Sequence, residues 1–140
     1  MQAPLRGYRQ LLAWQKADDL ASRIFRAVRA AKAPTWLKDQ VSRSATSVPA
    51  NIAEGYSRSS IPDYIRFLYI ARGSLAETEY FLGFLTKEGF VPAAQSEKLQ
   101  QDLDEVGRVL MGLIRGLAER RRTQTGESRL SEDPEPYLPL

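Results

Sequence analysis

A chain of 140 residues, 43% hydrophobic and 26% charged, has the size and make-up of one soluble globular domain. Cysteine and histidine are both absent, which removes disulfide frameworks, thiolate chemistry, Ser-His-Asp triads and Glu-x-x-His di-iron centres. The net charge of +3 is unevenly spread: residues 124–140 set Arg129 against Glu127, Glu132, Asp133 and Glu135, leaving about +6 on the rest.

The first predicted helix covers about 11–31. Trp14, Ala17, Leu20, Ala21, Ile24 and Val28 recur every three or four residues and so share one face. Pro34 stops it, because a proline disfavours helical geometry in the residue before it. A second helix over about 35–55 takes Thr35 as its cap and buries Leu37, Val41, Ser44 or Ala45, Val48 and Ile52. Pro49 interrupts its hydrogen-bond ladder and predicts a kink, with Ser44, Thr46 and Ser47 available to the freed carbonyl. Gly55 is placed to end this helix as a left-handed residue.

The third helix, about 60–88, starts with Ser59 or Ser60 as cap, Pro62 in the first turn and Asp63 at the positive end of the dipole. Its stripe runs Ile61, Tyr64 or Ile65, Leu68, Ala71, Leu75, Thr78, Leu82 and Leu85. Phe67, Tyr69, Ile70, Tyr80, Phe81 and Phe84 fall partly outside it, more apolar surface than a monomeric bundle needs. Gly89 and Pro92 close the helix. The fourth, about 93–121, carries Leu99, Leu103, Val106, Leu110, Leu113 and Leu117 in a 4-3-4-3-4 seam. Gly107, Gly112 and Gly116 weaken it by up to about 1 kcal/mol each, so another helix is expected to approach them closely.

Short connections make successive helices antiparallel. The expected fold is all-α: an antiparallel up-down-up-down four-helix bundle over 1–122 with a Pro-kinked second helix. An acidic, Pro-containing tail over 123–140 is expected to be flexible. No apolar run approaches the roughly 20 residues of a bilayer span, and Met1–Arg6 does not begin like a signal peptide. A cytoplasmic protein without a membrane partner is expected.

Several residues resemble a known family. Trp14-Gln15-Lys16-Ala17, Gln40 with Arg43, Ser47-Val48-Pro49-Ala50-Asn51-Ile52-Ala53-Glu54-Gly55, and Phe67-Leu68 through Gly73-Ser74-Leu75 to Glu77 are similar to the four-helix bundle proteins of bacterial 23S rRNA intervening sequences. The likeness covers about residues 10–118. It implies a homopentamer. The accessory proteins of diversity-generating retroelements resemble it more distantly, and there a pentameric barrel with a basic surface binds nucleic acid and a reverse transcriptase. Ser44 departs from the small apolar residue more usual at its position.

Two groups of residues stand as candidate sites. Arg6, Arg9, Lys16, Arg23, Arg26, Arg29, Arg120, Arg121 and Arg122 form a basic set suited to phosphates, or else a solvated face. The motif residues Arg43, Pro49, Asn51, Glu54, Gly55, Gly73, Ser74 and Glu77 read mainly as structural. In that reading Asn51 donates to a loop carbonyl, Glu54 accepts from N–H groups at the start of the third helix, and a partly buried Glu77 pairs with Arg43. The alternative makes Asn51, Glu54 and Arg58 a ligand site. No catalytic residue, metal or cofactor is expected. The expected role is a non-enzymatic homo-oligomeric scaffold binding RNA or DNA. The alternative is a module engaging a polymerase or reverse transcriptase through its apolar face or acidic tail.

Overall fold

The computed structural model describes residues 4–125. A single 3-10 turn, Gly7–Gln10, precedes four helices: α1 (Leu12–Ala30), α2 (Thr35–Tyr56), α3 (Ile61–Lys87) and α4 (Ala93–Thr125). Each helix packs on two neighbours, α1 on α2, α2 on α3, α3 on α4 and α4 back on α1. This is a four-helix bundle. Ser44 meets Thr78 and Ser47 meets Ser74; Leu75 lies over Gly107 and Thr86 meets Ser96; Lys16 meets Glu105 and Arg23 meets Asp102. At these three seams residue numbers rise on one helix as they fall on the other, so the paired helices run in opposite directions.

One core joins all four helices. Ile24, Val41, Ile52, Ile65, Leu68, Leu82, Leu85 and Leu110 are almost completely buried within it. The fourth-helix seam is a core seam, with Leu99, Leu103, Val106, Leu110 and Leu117 buried and Leu113 giving way to Ile114. Phe67, expected partly outside the stripe, is buried as well.

The helix ends correct three sequence expectations. Thr35 is the first residue of α2; Pro34 sits at the cap position, and its carbonyl accepts from the N–H groups of Leu37 and Lys38. Gly55 lies inside α2, and its φ is not positive. A Cβ there would come within 3.0 Å of Phe67 Cβ and Tyr64 Cδ1 and 3.1 Å of the Tyr64 carbonyl oxygen. The glycine is needed for close helix approach, which periodicity cannot distinguish from a helix stop. α4 runs to Thr125, past the expected end at Arg121; the remainder of the acidic tail lies outside the described residues.

Other ends form for the reasons the residues suggest. Ser60 Oγ accepts from the Asp63 N–H with Pro62 in the first turn of α3. Gly89 (φ +84°) is the left-handed residue that closes α3: Phe90 N–H donates to Leu85 O and Gly89 N–H to Thr86 O, a Schellman arrangement. α2 continues through Pro49 as one helix. Thr46 donates to Ser42 O or Arg43 O and Ser44 to Val41 O, so neither serves the Ala45 carbonyl that Pro49 leaves without a donor. Among the described residues, no helix is long and apolar enough to cross a membrane.

Candidate nucleic-acid interface

The basic residues singled out in the sequence are not brought together as one patch. Lys16 and Arg23 sit at the α1–α4 seam. Lys16 Nζ lies 3.0 Å from Glu105, and Arg23 reaches Asp102 at 2.6 Å and Asp19 at 2.9 Å, with Lys98 also on Asp102. Burial disfavours charge on both Arg23 and Asp102, yet their mutual hydrogen bond, the further bonds to Asp19 and from Lys98, and the attraction among these charges together outweigh it. Arg23 is held above its ordinary range, and Asp102, which also accepts from Lys98, is held below its own. Both cations are thereby committed to the fold. Arg26 and Arg29 are exposed nearer the end of α1, Arg29 over the Phe25 ring.

The remaining predicted cations gather at the opposite end. Gly7 lies against Tyr56, Tyr56 packs edge-on to Tyr64, and the charge of Arg120 acts on Tyr64. This chain of neighbours brings the segment holding Arg6 and Arg9 to the same end as Arg120, Arg121 and Arg122. Burial, reinforced by Tyr56 and opposed by Arg120, pushes the Tyr64 hydroxyl up to about 12, so the phenol is neutral at any physiological pH.

Two further arginines, which the basic set had left out, stand at this end. Arg58 and Arg66 both place their guanidinium carbons over the Phe67 ring, at 4.4 and 4.6 Å. Asp63 joins them, one oxygen 3.0 Å from Arg66 and the other 3.6 Å from Arg58, while Glu54 takes Arg58 at 2.7 Å. Cation–π contacts of this kind contribute about 0.5 to 1 kcal/mol each. The cluster fixes the α2–α3 turn, and it corrects the role expected of Glu54, which accepts from Arg58 instead of from backbone N–H groups.

A concavity of about 980 Å³ lies along the α3–α4 seam, lined by Tyr69, Arg72, Gly73, Ala76, Glu79, Asp104, Gly107, Arg108, Met111 and Arg115, among others. Among the described residues, no carboxylate lies within ion-pair distance of Arg72, Arg108 or Arg115. Because the helices run oppositely, these three share the half of the groove nearer Arg120, while Glu79 and Asp104 oppose each other in the other half. Arg108, Arg115 and Arg122 recur at seven-residue intervals on one face, about 10.5 Å apart along the axis. That spacing was readable in the sequence, though nothing there showed that the groove would be open. Gly107 only touches Leu75 at 3.5 Å, and Gly112 and Gly116 face open space. The close approach expected at these glycines does not occur within the chain.

The motif residues build the α2–α3 seam. Asn51 Nδ2 donates to Ser47 O at 2.8 Å and to Ser47 Oγ at 2.9 Å, one turn back in its own helix and away from any loop carbonyl. Ser47 Oγ in turn lies 2.9 Å from Ser74 Oγ. Asn51 and Ser74, from separate parts of the signature, are thus linked across the seam. One turn along, Ser44 is buried with its Oγ 2.9 Å from Thr78 Oγ1. Thr78 also reaches Ser74 O and Ser44 also reaches Val41 O; with one proton per hydroxyl, either direction of donation leaves both oxygens satisfied. This explains a serine where an apolar residue was the expectation. Pro49 is buried, and Gly73 has nothing within 4 Å of where a Cβ would stand. Glu77 and Arg43 are both exposed, and among the described residues neither has an ion-pair partner, so the buried pair does not form. Among the described residues, no cluster of carboxylates is placed to hold a metal.

The model of the 23S rRNA-intervening sequence protein family matches residues 9–112. The chain belongs to this family. A crystal structure of a protein of unknown function from the S23 ribosomal protein family, from Bacteroides thetaiotaomicron VPI-5482, is 29% identical with a TM-score of 0.69. The alignment covers 74% of this chain and 98% of that one. No match was found among curated proteins.

Proposed function

We propose that this family member is a non-enzymatic, homo-oligomeric accessory scaffold, a pentamer in keeping with the family resemblance, which binds nucleic acid along the α3–α4 groove. The observation that carries the reading is that Arg72, Arg108 and Arg115 share one half of that groove without carboxylate partners among the described residues. Unpaired guanidinium groups keep their donors for phosphate oxygens. The basic surface continues through Arg122, itself paired with Glu119 at 3.1 Å, toward Arg120, Arg121 and the Arg6–Arg9 segment. The family name links its members to an rRNA context, which favours RNA among polyanions. Symmetric copies multiply the affinity of a modest patch.

Fluorescence anisotropy with labelled single-stranded and duplex RNA and DNA at about 50 mM salt tests the reading. Arg72→Ala/Arg108→Ala/Arg115→Ala is expected to weaken binding at least tenfold and to flatten the slope of log K against log salt by about 2 to 3. Lys16→Ala should leave both unchanged. No binding of any of these probes would overturn the proposal.

A second reading has a separate observation in its favour. Trp36 and Tyr80 are 60% and 61% exposed, with Ile70 also outward, and aromatic side chains favour protein contacts. In that reading a polymerase or reverse transcriptase is engaged through this apolar surface or the acidic tail.

A further inference from the structure

We infer that the outward face of α2 receives the outward face of α3 from a second copy of this chain, with Arg43 of one copy paired to Glu77 of the other. The inference rests on the homo-oligomeric reading above and names the surface through which copies meet. Each of these helices carries, besides its core stripe, a second stripe turned to solvent. On α2 it is Trp36, Asp39, Arg43, Thr46 and Ala50, all exposed. On α3 it is Ile70, Gly73, Glu77 and Tyr80, all exposed, and the half-buried Phe84. Both advance by alternate steps of three and four residues, the spacing by which one helix packs along another. A stripe meant only for water would be polar throughout. These hold Trp36, Ile70 and Tyr80, three of the chain's exposed large hydrophobic side chains, and Gly73, where a Cβ would meet nothing within 4 Å.

Charge selects the partner and the register. Arg43 is the middle residue of the α2 stripe and Glu77 the middle residue of the α3 stripe. Among the described residues neither has an ion-pair partner. Within one chain Ser44 meets Thr78 and Ser47 meets Ser74, so Arg43 and Glu77 stand at nearly one height on neighbouring helices without pairing. A copy related by rotation about an axis along the bundle keeps every height. Its Glu77 then comes level with the first copy's Arg43, and its α3 runs antiparallel to α2. The stripes meet in order: Trp36 with Phe84, Asp39 with Tyr80, Thr46 with Gly73 and Ala50 with Ile70. Aromatic rings face each other at one end. At the other, Gly73 makes room for Thr46 and Ala50 for Ile70, and the Asp39 carboxylate accepts from the Tyr80 hydroxyl. A slip of one turn would leave both middle charges covered and unpaired, which is costly, so the pair fixes register as a polar residue does in a coiled coil. Each copy offers one α2 face and one α3 face, the arrangement that propagates into a ring.

Exchanging charges between full-length chains tests the contact. Arg43→Glu sets acid against acid between copies, and Glu77→Arg sets base against base. Light scattering should show each variant's mass falling at least twofold toward the 15.8 kDa of one chain, with helical circular dichroism unchanged. An equal mixture of the two variants restores opposite charges between chains and never within one, so it should regain the assembled mass. Cysteine is absent, which allows a second measurement that leaves both charges in place. A disulfide requires Cα atoms within about 7 Å. Ala50→Cys chains mixed with Ile70→Cys chains should therefore oxidise to the mixed dimer at least tenfold faster than Ala50→Cys mixed with Phe84→Cys, the pair that an end-for-end copy would align. A wild-type mass of one chain would overturn this inference together with the homo-oligomeric reading. An assembled wild type whose charge variants keep their mass, whose mixture fails to recover, or whose cross-link favours Phe84 would overturn the inference alone.

Discussion

Gly55 and Gly112 are both helical glycines, and the same substitution should act on them in opposite directions. At Gly55 a methyl group would press on Phe67, Tyr64 and the Tyr64 carbonyl at 3.0 to 3.1 Å, and backbone cannot move aside as a flexible side chain can. Gly55→Ala is expected to destabilise by about 1 to 2 kcal/mol, overpacking exceeding the gain in helix propensity. Gly112 faces open space, so Gly112→Ala should stabilise by up to about 1 kcal/mol. Gly55→Asn separates close approach from a left-handed turn: asparagine tolerates positive φ but is larger, so it should cost more than alanine. Urea midpoints for the three variants check this, and a milder Asn would reinstate the left-handed stop. The sequence showed a glycine after a buried stripe. It could not show that the aromatic ring opposite comes from α3.

Between elements, the α1–α4 seam carries the clearest pH dependence. Asp102 titrates below its ordinary range because the hydrogen bonds from Arg23 and Lys98 overcome the cost of its burial. The folded state then binds fewer protons than the unfolded one, so stability rises with pH across that window. The contribution is complete above about pH 5, where an unfolded aspartate is almost fully ionised, and is lost as pH falls through the lower folded value. Asp102→Asn should cost about 1 kcal/mol near neutrality, since Arg23 is part-exposed and keeps Asp19. Chemical denaturation at pH 7, 4 and 3 should show the variant's deficit shrinking below pH 4; a constant deficit would mean that the pair does not govern the slope. Helix type and extent were legible here because 3.6-residue periodicity is a local signal. The fate of Lys16 and Arg23 was not, because their partners lie on α4, far along the chain. An arginine on a basic face looks the same whether it meets solvent or a carboxylate. The opposite error befell Arg72, Arg108 and Arg115, whose freedom from partners appears only once α3 and α4 are side by side.

For the whole molecule, the unresolved tension is apolar surface that the bundle does not bury. Tyr80 is 61% exposed, stacked on Phe84 and edge-on to Phe81, and Ile70 is exposed on the same helix. Exposed aromatic clusters of this kind mark protein contacts, and the exposed helical glycines Gly73, Gly112 and Gly116 permit a close neighbour from outside the chain. If copies associate through α3, light scattering should give a multiple of the 15.8 kDa chain. Tyr80→Glu with Ile70→Glu should lower it to one chain while leaving helical circular dichroism intact. The same variant ties assembly to nucleic-acid binding without touching an arginine. Lost copies remove avidity, so affinity for a long strand should fall far more than affinity for a short one that a single groove can hold. Equal loss on both lengths would place Tyr80 or Ile70 in the binding surface itself. An assembly mass undiminished in the double variant would move the assembly contact away from this face of α3.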